Sequence, residues 1–93
     1  MDTQNYAKNA SGDILAQLPR QKKVVGAKQL RKAFKSGTVR QVYLARNADP
    51  AITEPIEALC LQNHVEYAWV RSMLDLGKAC GIEVGAAVAA SVN

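Results

Sequence analysis

Three observations predict a three-layer α/β/α sandwich around a small, largely parallel sheet. Strand-like and helix-like segments alternate along all but the first dozen of the 93 residues, a pattern that builds βαβ units rather than successive hairpins. Val39 to Ala45 (VRQVYLA) is β-branched and aromatic, as befits a strand covered mostly on both faces. Between Ala27 and Ser36 the apolar period becomes helical, with Leu30, Ala33 and Phe34 on one stripe. A chain of this length holds one core and not two.

Residues 1–12 are polar, include Ser11-Gly12 and show no apolar period. They are expected to form a mobile leader, with the domain running over 13–93. Asp13 is expected to N-cap a short helix through Leu18 that Pro19 ends. Val24-Val25 follows as a short buried strand, broken by Gly26. The helix over Ala27–Ser36 closes at Gly37. After the strand at Val39–Ala45, Asn47-Ala48-Asp49-Pro50 is read as a turn. The next helix is expected to start near Thr53 as N-cap, with Pro55 in its first turn and Ile56, Leu59 and Cys60 buried. Tyr67 to Val70 is a further strand. Ser72 caps a helix over Met73–Cys80 that stops at Gly81. The Ala-rich end, Ala86 to Val92, favours helix by composition. Gly85 just before it, and the few residues that remain, fit a small-residue strand better.

Charge is distributed unevenly. Nine of the twelve Lys and Arg residues lie between Asp13 and Asp49, and no acid lies among them. Such a block is the electrostatic footprint of a polyanion-binding surface. Within it, Lys28, Arg31, Lys32 and Lys35 fall at i, i+3, i+4 and i+7 on one helix face with no acid to relieve their repulsion.

Other chemistries find little support. Cys60 and His64 have a spacing that suits two metal ligands on a helix, yet there is no CxxC and no second His. A core cysteine and an exposed histidine are the simpler reading, and no metal or other cofactor is expected. One His and no Gly-x-Ser-x-Gly elbow leave a hydrolase without machinery. Gly77, Gly81 and Gly85 match neither the dinucleotide nor the P-loop pattern and fit turns and tight packing. No apolar stretch follows the start as a secretory signal would require, and Val84–Asn93 is too short to span a bilayer. Two cysteines suit a reduced, cytoplasmic setting.

The best supported constellation is the strand–Gly–helix junction, Val25-Gly26-Ala27-Lys28-Gln29. A helix start exposes unpaired N–H groups and a positive dipole end, which suit phosphate or the acceptor edges of bases. Gly26 lets a ligand approach the backbone. Gln29 offers donor and acceptor to a base edge, and Lys28 donates to purine acceptors or phosphate. Arg31, Lys32 and Lys35 follow one turn on.

This junction, read with LARNADP (Leu44 to Pro50) and LGKACGIEVGAAVA (Leu76 to Ala89), resembles the kink-turn-binding ribosomal protein family, the L-seven-Ae and L-thirty-e superfamily. The likeness runs from about Lys22 to Val92 and is strongest to short bacterial members. It implies a four-stranded mixed sheet whose last strand runs against the others, which makes the Ala-rich end a strand. It also implies a ligand, an RNA kink-turn, in which tandem sheared G·A pairs flank a short bulge. The family's helix-start motif falls on Gly26, Ala27, Lys28, Gln29 and Lys32, and its second contact region on Ile82, Glu83 and Val84, with Arg71 and Ser72 beside it. Archaeal members typically have Asn-Glu where this chain has Lys28-Gln29, and Asn47 stands at an often acidic position, where an effect on the turn alone is expected. The resemblance implies a monomer that binds ribosomal RNA, a riboswitch or a messenger leader. The alternative is an interaction module whose basic face meets an acidic partner.

Overall fold

Gly26 and Gly37 bracket the helix that the basic block decorates, and both have positive φ, 96° and 69°. The computed structural model describes residues 7–9 and 12–93. Strand β1 (Ala7–Asn9) precedes helix α1 (Gly12–Gln17) and a 3-10 turn over Leu18–Arg20. Then come β2 (Lys23–Val25), α2 (Ala27–Ser36), β3 (Val39–Ala45), α3 (Pro50–Asn63), β4 (Glu66–Val70), α4 (Met73–Ala79) and β5 (Val88–Val92).

The sheet order is β1-β4-β3-β5-β2. Strands β1, β4 and β3 are parallel, while β5 lies antiparallel between β3 and β2, with Val42 opposite Ala90 and Val24 opposite Ala90 on its other side. The expected four-stranded mixed sheet is therefore present as β4-β3-β5-β2, and its last strand runs against the others. A fifth strand lies within the expected leader, where Ala7–Asn9 pairs with Tyr67–Trp69. Three residues with Lys8 at their centre carry no apolar period; the ladder of β4 holds them, and no local signal announces it. Residues 1–6, 10 and 11 lie outside the described residues. Helix α1 begins at Gly12, one residue before Asp13.

Alternate residues of the sheet serve two cores. Tyr43, Ala45, Ala68, Val70 and Ala89 pack with Leu18 and Leu76 under α1 and α4. Val42, Leu44, Tyr67, Val88 and Ala90 pack with Leu30, Ile56 and Cys60 under α2 and α3. Helices on both faces bury the central strands, so β3 shows an almost continuous run of buried residues from Val42 to Ala45. Trp69 is half-buried and meets Tyr67 edge-on at 6.5 Å.

Helix α3 corrects a second expectation. Asp49 is its N-cap, accepting at Oδ1 from Ala51 N at 2.9 Å, and Pro50 opens the helix. Asp-Pro is itself a helix-start signal, since Pro in the first turn forfeits only an N–H that lacks a partner anyway. Pro55 lies inside the helix and Thr53 is buried on its inner face. The one carbonyl that Pro55 deprives of an N–H belongs to exposed Ala51, within reach of water.

Two of the three recurring glycines permit close packing. A Cβ on Gly77 of α4 would run into the Val84 carbonyl oxygen, and one on Gly85 would meet Met73 Cβ at 3.0 Å. Gly81 has φ 80° and turns the chain out of α4. The loop over residues 82–85 thus lies directly on α4. Gly77→Ala is expected to destabilise the domain by about 2 kcal/mol through overpacking, lowering Tm by roughly 8–16 °C for a domain of this size. Thermal denaturation followed by circular dichroism measures it, and an unchanged Tm would contradict this packing.

Candidate nucleic-acid interface

One end of the sheet collects the start of α2, the corner at Arg71-Ser72 and the loop before β5. Strands β2, β3 and β4 run in the same direction, and their C-terminal ends lead into Gly26, Arg46 and Arg71. The loop before β5 arrives at the same end because β5 runs the other way. Crevices beyond the carboxyl ends of parallel strands are where open α/β sheets place ligands.

Backbone hydrogen bonds stitch these segments together. Gly26 N donates to Val88 O at 3.0 Å, Ala45 N to Ala87 O at 2.9 Å, and Arg46 N to Val70 O at 2.9 Å. Ala86 N donates to Met73 O at 2.9 Å, and Ile82 N to Gly77 O at 3.0 Å. The start of α2 and the loop over residues 82–85 are therefore held to one frame.

Gly26 is the N-cap of α2, with φ 96° and ψ 151°, a conformation open to glycine, and no side chain caps the helix. Its first turn offers N–H groups without intrahelical partners, together with the positive end of the helix dipole. Lys28, Gln29, Arg31, Lys32 and Lys35 are all exposed, whereas Leu30 and Ala33 are buried and anchor the helix. Ala27 is half-buried. No acid lies in the first turn.

The second region divides. Val84 is 69 % exposed, and Glu83 is exposed beside it. Ile82 is half-buried and packs on the core under α1 and α4, so it supports the loop. Arg71 is exposed and pairs with Asp75 at 3.0 Å; a surface i, i+4 pair of this kind is weak and exchangeable. Ser72 Oγ accepts from Asp75 N at 3.1 Å as the N-cap of α4. Its hydroxyl retains a proton to donate.

Asn47 belongs to this end of the sheet too. Its Oδ1 accepts from Met73 N at 2.8 Å, tying the β3–α3 connection to the start of α4. The sequence gives no sign of a partner so far along the chain, and the expectation that Asn47 affects only its own turn is corrected.

Residues 9–93 match the model of the ribosomal protein L7Ae/L30e/S12e/Gadd45 family. The chain belongs to this family. A Bacillus pumilus relative described as an RNA-binding protein is 46% identical over 67 residues, covering 72% of this chain and 82% of the relative. Another of that description, from Caldanaerobacter subterraneus subsp. tengcongensis, is 42% identical over 71 residues, covering 76% and 87%. Among solved structures, a Giardia lamblia 15.5 kD RNA-binding protein superposes with a TM-score of 0.82 at 24% identity, covering 100% of this chain and 84% of that one. At that identity the likeness concerns the fold, and it fits the L7Ae-type sandwich described above.

Elsewhere in this family member, Cys60 is fully buried, and exposed His64 ends α3 in the left-handed conformation at φ 56°. Among the described residues no group of three or more His, Cys, Asp or Glu could hold a metal, and no helix is long and apolar enough to cross a membrane. Burial, and then the nearby Glu57 carboxylate, push the Cys60 thiol from 9.0 up to about 12. The folded state keeps this proton after the unfolded chain has lost its own. Stability from this group is therefore complete below about pH 9 and declines as pH rises toward 12. Urea melts at pH 8 and pH 10 are expected to show a smaller alkaline loss in Cys60→Ala than in the parent; equal losses would contradict the assignment.

Proposed function

We propose that this chain is an RNA-binding protein that recognises kink-turns and stabilises their kinked conformer, acting as a cytoplasmic monomer. The observation that carries this reading is the glycine-capped, acid-free start of α2, held by backbone bonds beside the exposed Glu83-Val84 loop tip. The names of the bacterial relatives support its RNA-binding part.

In this mechanism the α2 start enters the groove widened by the G·A pairs. Lys28 and Gln29 meet exposed guanine edges, and Lys32, Arg31 and Lys35 neutralise the two backbones that the kink draws together. Val84 covers a nucleotide turned out from the bulge, with Ile82 supporting it from beneath. Arg71 and Ser72, at the end of β4, lie within the same face. Since no bond is made or broken, binding acts by selecting the kinked RNA from its equilibrium with the extended form. The RNA that carries the motif is ribosomal RNA, a riboswitch or a messenger leader.

A gel shift compares a kink-turn duplex with one whose G·A pairs are replaced by Watson–Crick pairs. Gln29→Ala is expected to weaken kink-turn binding by roughly tenfold, as loss of one base contact does, and to leave the control duplex unchanged. Lys35→Ala is expected to weaken both alike and to reduce the salt dependence by about one unit of slope from a parent value on the order of −3. Equal affinity of the parent for both duplexes would refute specific recognition and favour a basic face made for an acidic partner.

Val84→Asp places a carboxylate at an exposed loop tip, so it is expected to weaken kink-turn binding several-fold without changing Tm. Unchanged binding would remove the loop from the interface.

A further inference from the structure

Two cations of the α2 stripe, Arg31 and Lys35, also border a groove whose apolar floor the kink-turn reading does not use. Between α2 and α3 lies an open groove of about 410 Å³, lined by Arg31, Phe34, Lys35, Pro55, Leu59 and Asn63. It continues past Phe34 and Asn63 into a smaller recess of about 170 Å³ that reaches Gly37 and Val65. Its floor is apolar, with Phe34 and Leu59 half-buried there at the edge of the core under α2 and α3. Its rim carries two exposed cations, and neither Glu54 nor Glu57 of α3 lines it. Glu57 is engaged elsewhere, accepting from the Tyr67 hydroxyl at 2.7 Å.

We infer that this groove binds one unpaired nucleotide of the RNA held at the α2 start, its base against Phe34 and Leu59 and its phosphates on Arg31 and Lys35. The inference rests on the RNA-binding reading above and extends it to a second subsite. An aromatic floor with cations at its edge is the combination that single-stranded nucleotides require, because every base carries a π-face and a neighbouring phosphate. The volume falls within the range of small-ligand sites, roughly 300–1,000 Å³. Continuity favours RNA over a peptide, since Arg31 and Lys35 belong to the same acid-free stripe as Lys28 and Lys32. From Lys28 to Phe34 the helix rises only about 9 Å, a distance the first unpaired nucleotides beyond the duplex can span. Asn63 adds a preference. Its Nδ2 donates to Leu59 O at 2.8 Å, leaving Oδ1 to accept from a base N–H.

The test uses the whole chain and six RNAs: the kink-turn duplex and its Watson–Crick control, each blunt or carrying two unpaired nucleotides on one strand or on the other. Extension of one strand of the kink-turn duplex is expected to tighten binding roughly tenfold, the effect of one stacked base. An abasic extension, which keeps the phosphates, should lose that gain. Phe34→Leu keeps an apolar side chain and removes the aromatic face; it should bind the blunt duplex like the parent and lose the gain. Equal affinity for blunt and extended duplexes on both strands, or a gain that survives removal of the bases, would overturn the inference and return the groove to a protein partner. Should Phe34→Leu fail to fold, the abasic comparison on the parent chain decides alone. Failure of the kink-turn reading looks different, because G·A and Watson–Crick duplexes would then bind alike whatever their extension.

Discussion

The last strand is the constraint on which the site depends. Strand β5 enters antiparallel between β3 and β2, and its residues Val88, Ala89 and Ala90 are fully buried. Small side chains at Ala89 and Ala90 let helices approach both faces of the sheet. The same strand brings the loop over residues 82–85 to the end where α2 begins, and Gly26 N to Val88 O fixes the junction at 3.0 Å. Two segments more than fifty residues apart in sequence thereby become one surface. Larger residues in β5 would force the two helix layers apart before they touched any site residue.

The fold also sorts the basic block into unequal parts. Lys23 Nζ donates to Pro19 O and Gln21 O at 3.3 Å and so belongs to the turn that packs α1. Arg40 lines a polar recess with Gln41, Glu66 and Ser91 at the opposite end of the sheet from α2's start. Exposed charges separated by more than about 10 Å are largely screened at physiological salt, so Arg40 contributes little to the field at the candidate interface. The α2 cations lie on one short helix and act together. A net charge of +4 describes none of this arrangement.

Legibility in the sequence followed locality. Helix α2 and strand β3 have the boundaries read from the sequence, because Gly26, Gly37 and the β-branched run are local signals. The N-cap role of Ser72 was readable for the same reason. What escaped depended on distant partners: β1 exists through β4, and Asn47 reaches Met73 from another connection. At α3 two signals compete: Pro55 suits a start near Thr53, whereas Asp49-Pro50 is the start the chain uses. The β5 strand stood between the two cases, since its Ala-rich composition suited helix and the resemblance to the family settled it. In the candidate site, the exposed α2 residues were legible from helical spacing. The division of labour between Ile82 and Val84 was not, because it depends on Gly77 admitting the Val84 carbonyl against α4.

That division bears on how the interface can vary. The bonds from Gly26 N, Ala45 N, Ala86 N and Ile82 N all run backbone to backbone, so the frame of the site does not depend on the side chains that would face RNA. A frame fixed before binding loses little conformational entropy on association. Side chains on it can then change chemistry at constant geometry. Under the proposed kink-turn reading, Lys28-Gln29 in place of the Asn-Glu pair typical of archaeal members would be such a change: a charged acceptor for guanine N–H groups would give way to a neutral carbonyl, with a cation beside it. On that reading affinity would shift from directed hydrogen bonding toward phosphate attraction, and binding would depend more on salt than in a relative with the carboxylate. The α2 start would keep its position on the RNA, because Gly26 and Val88 set it.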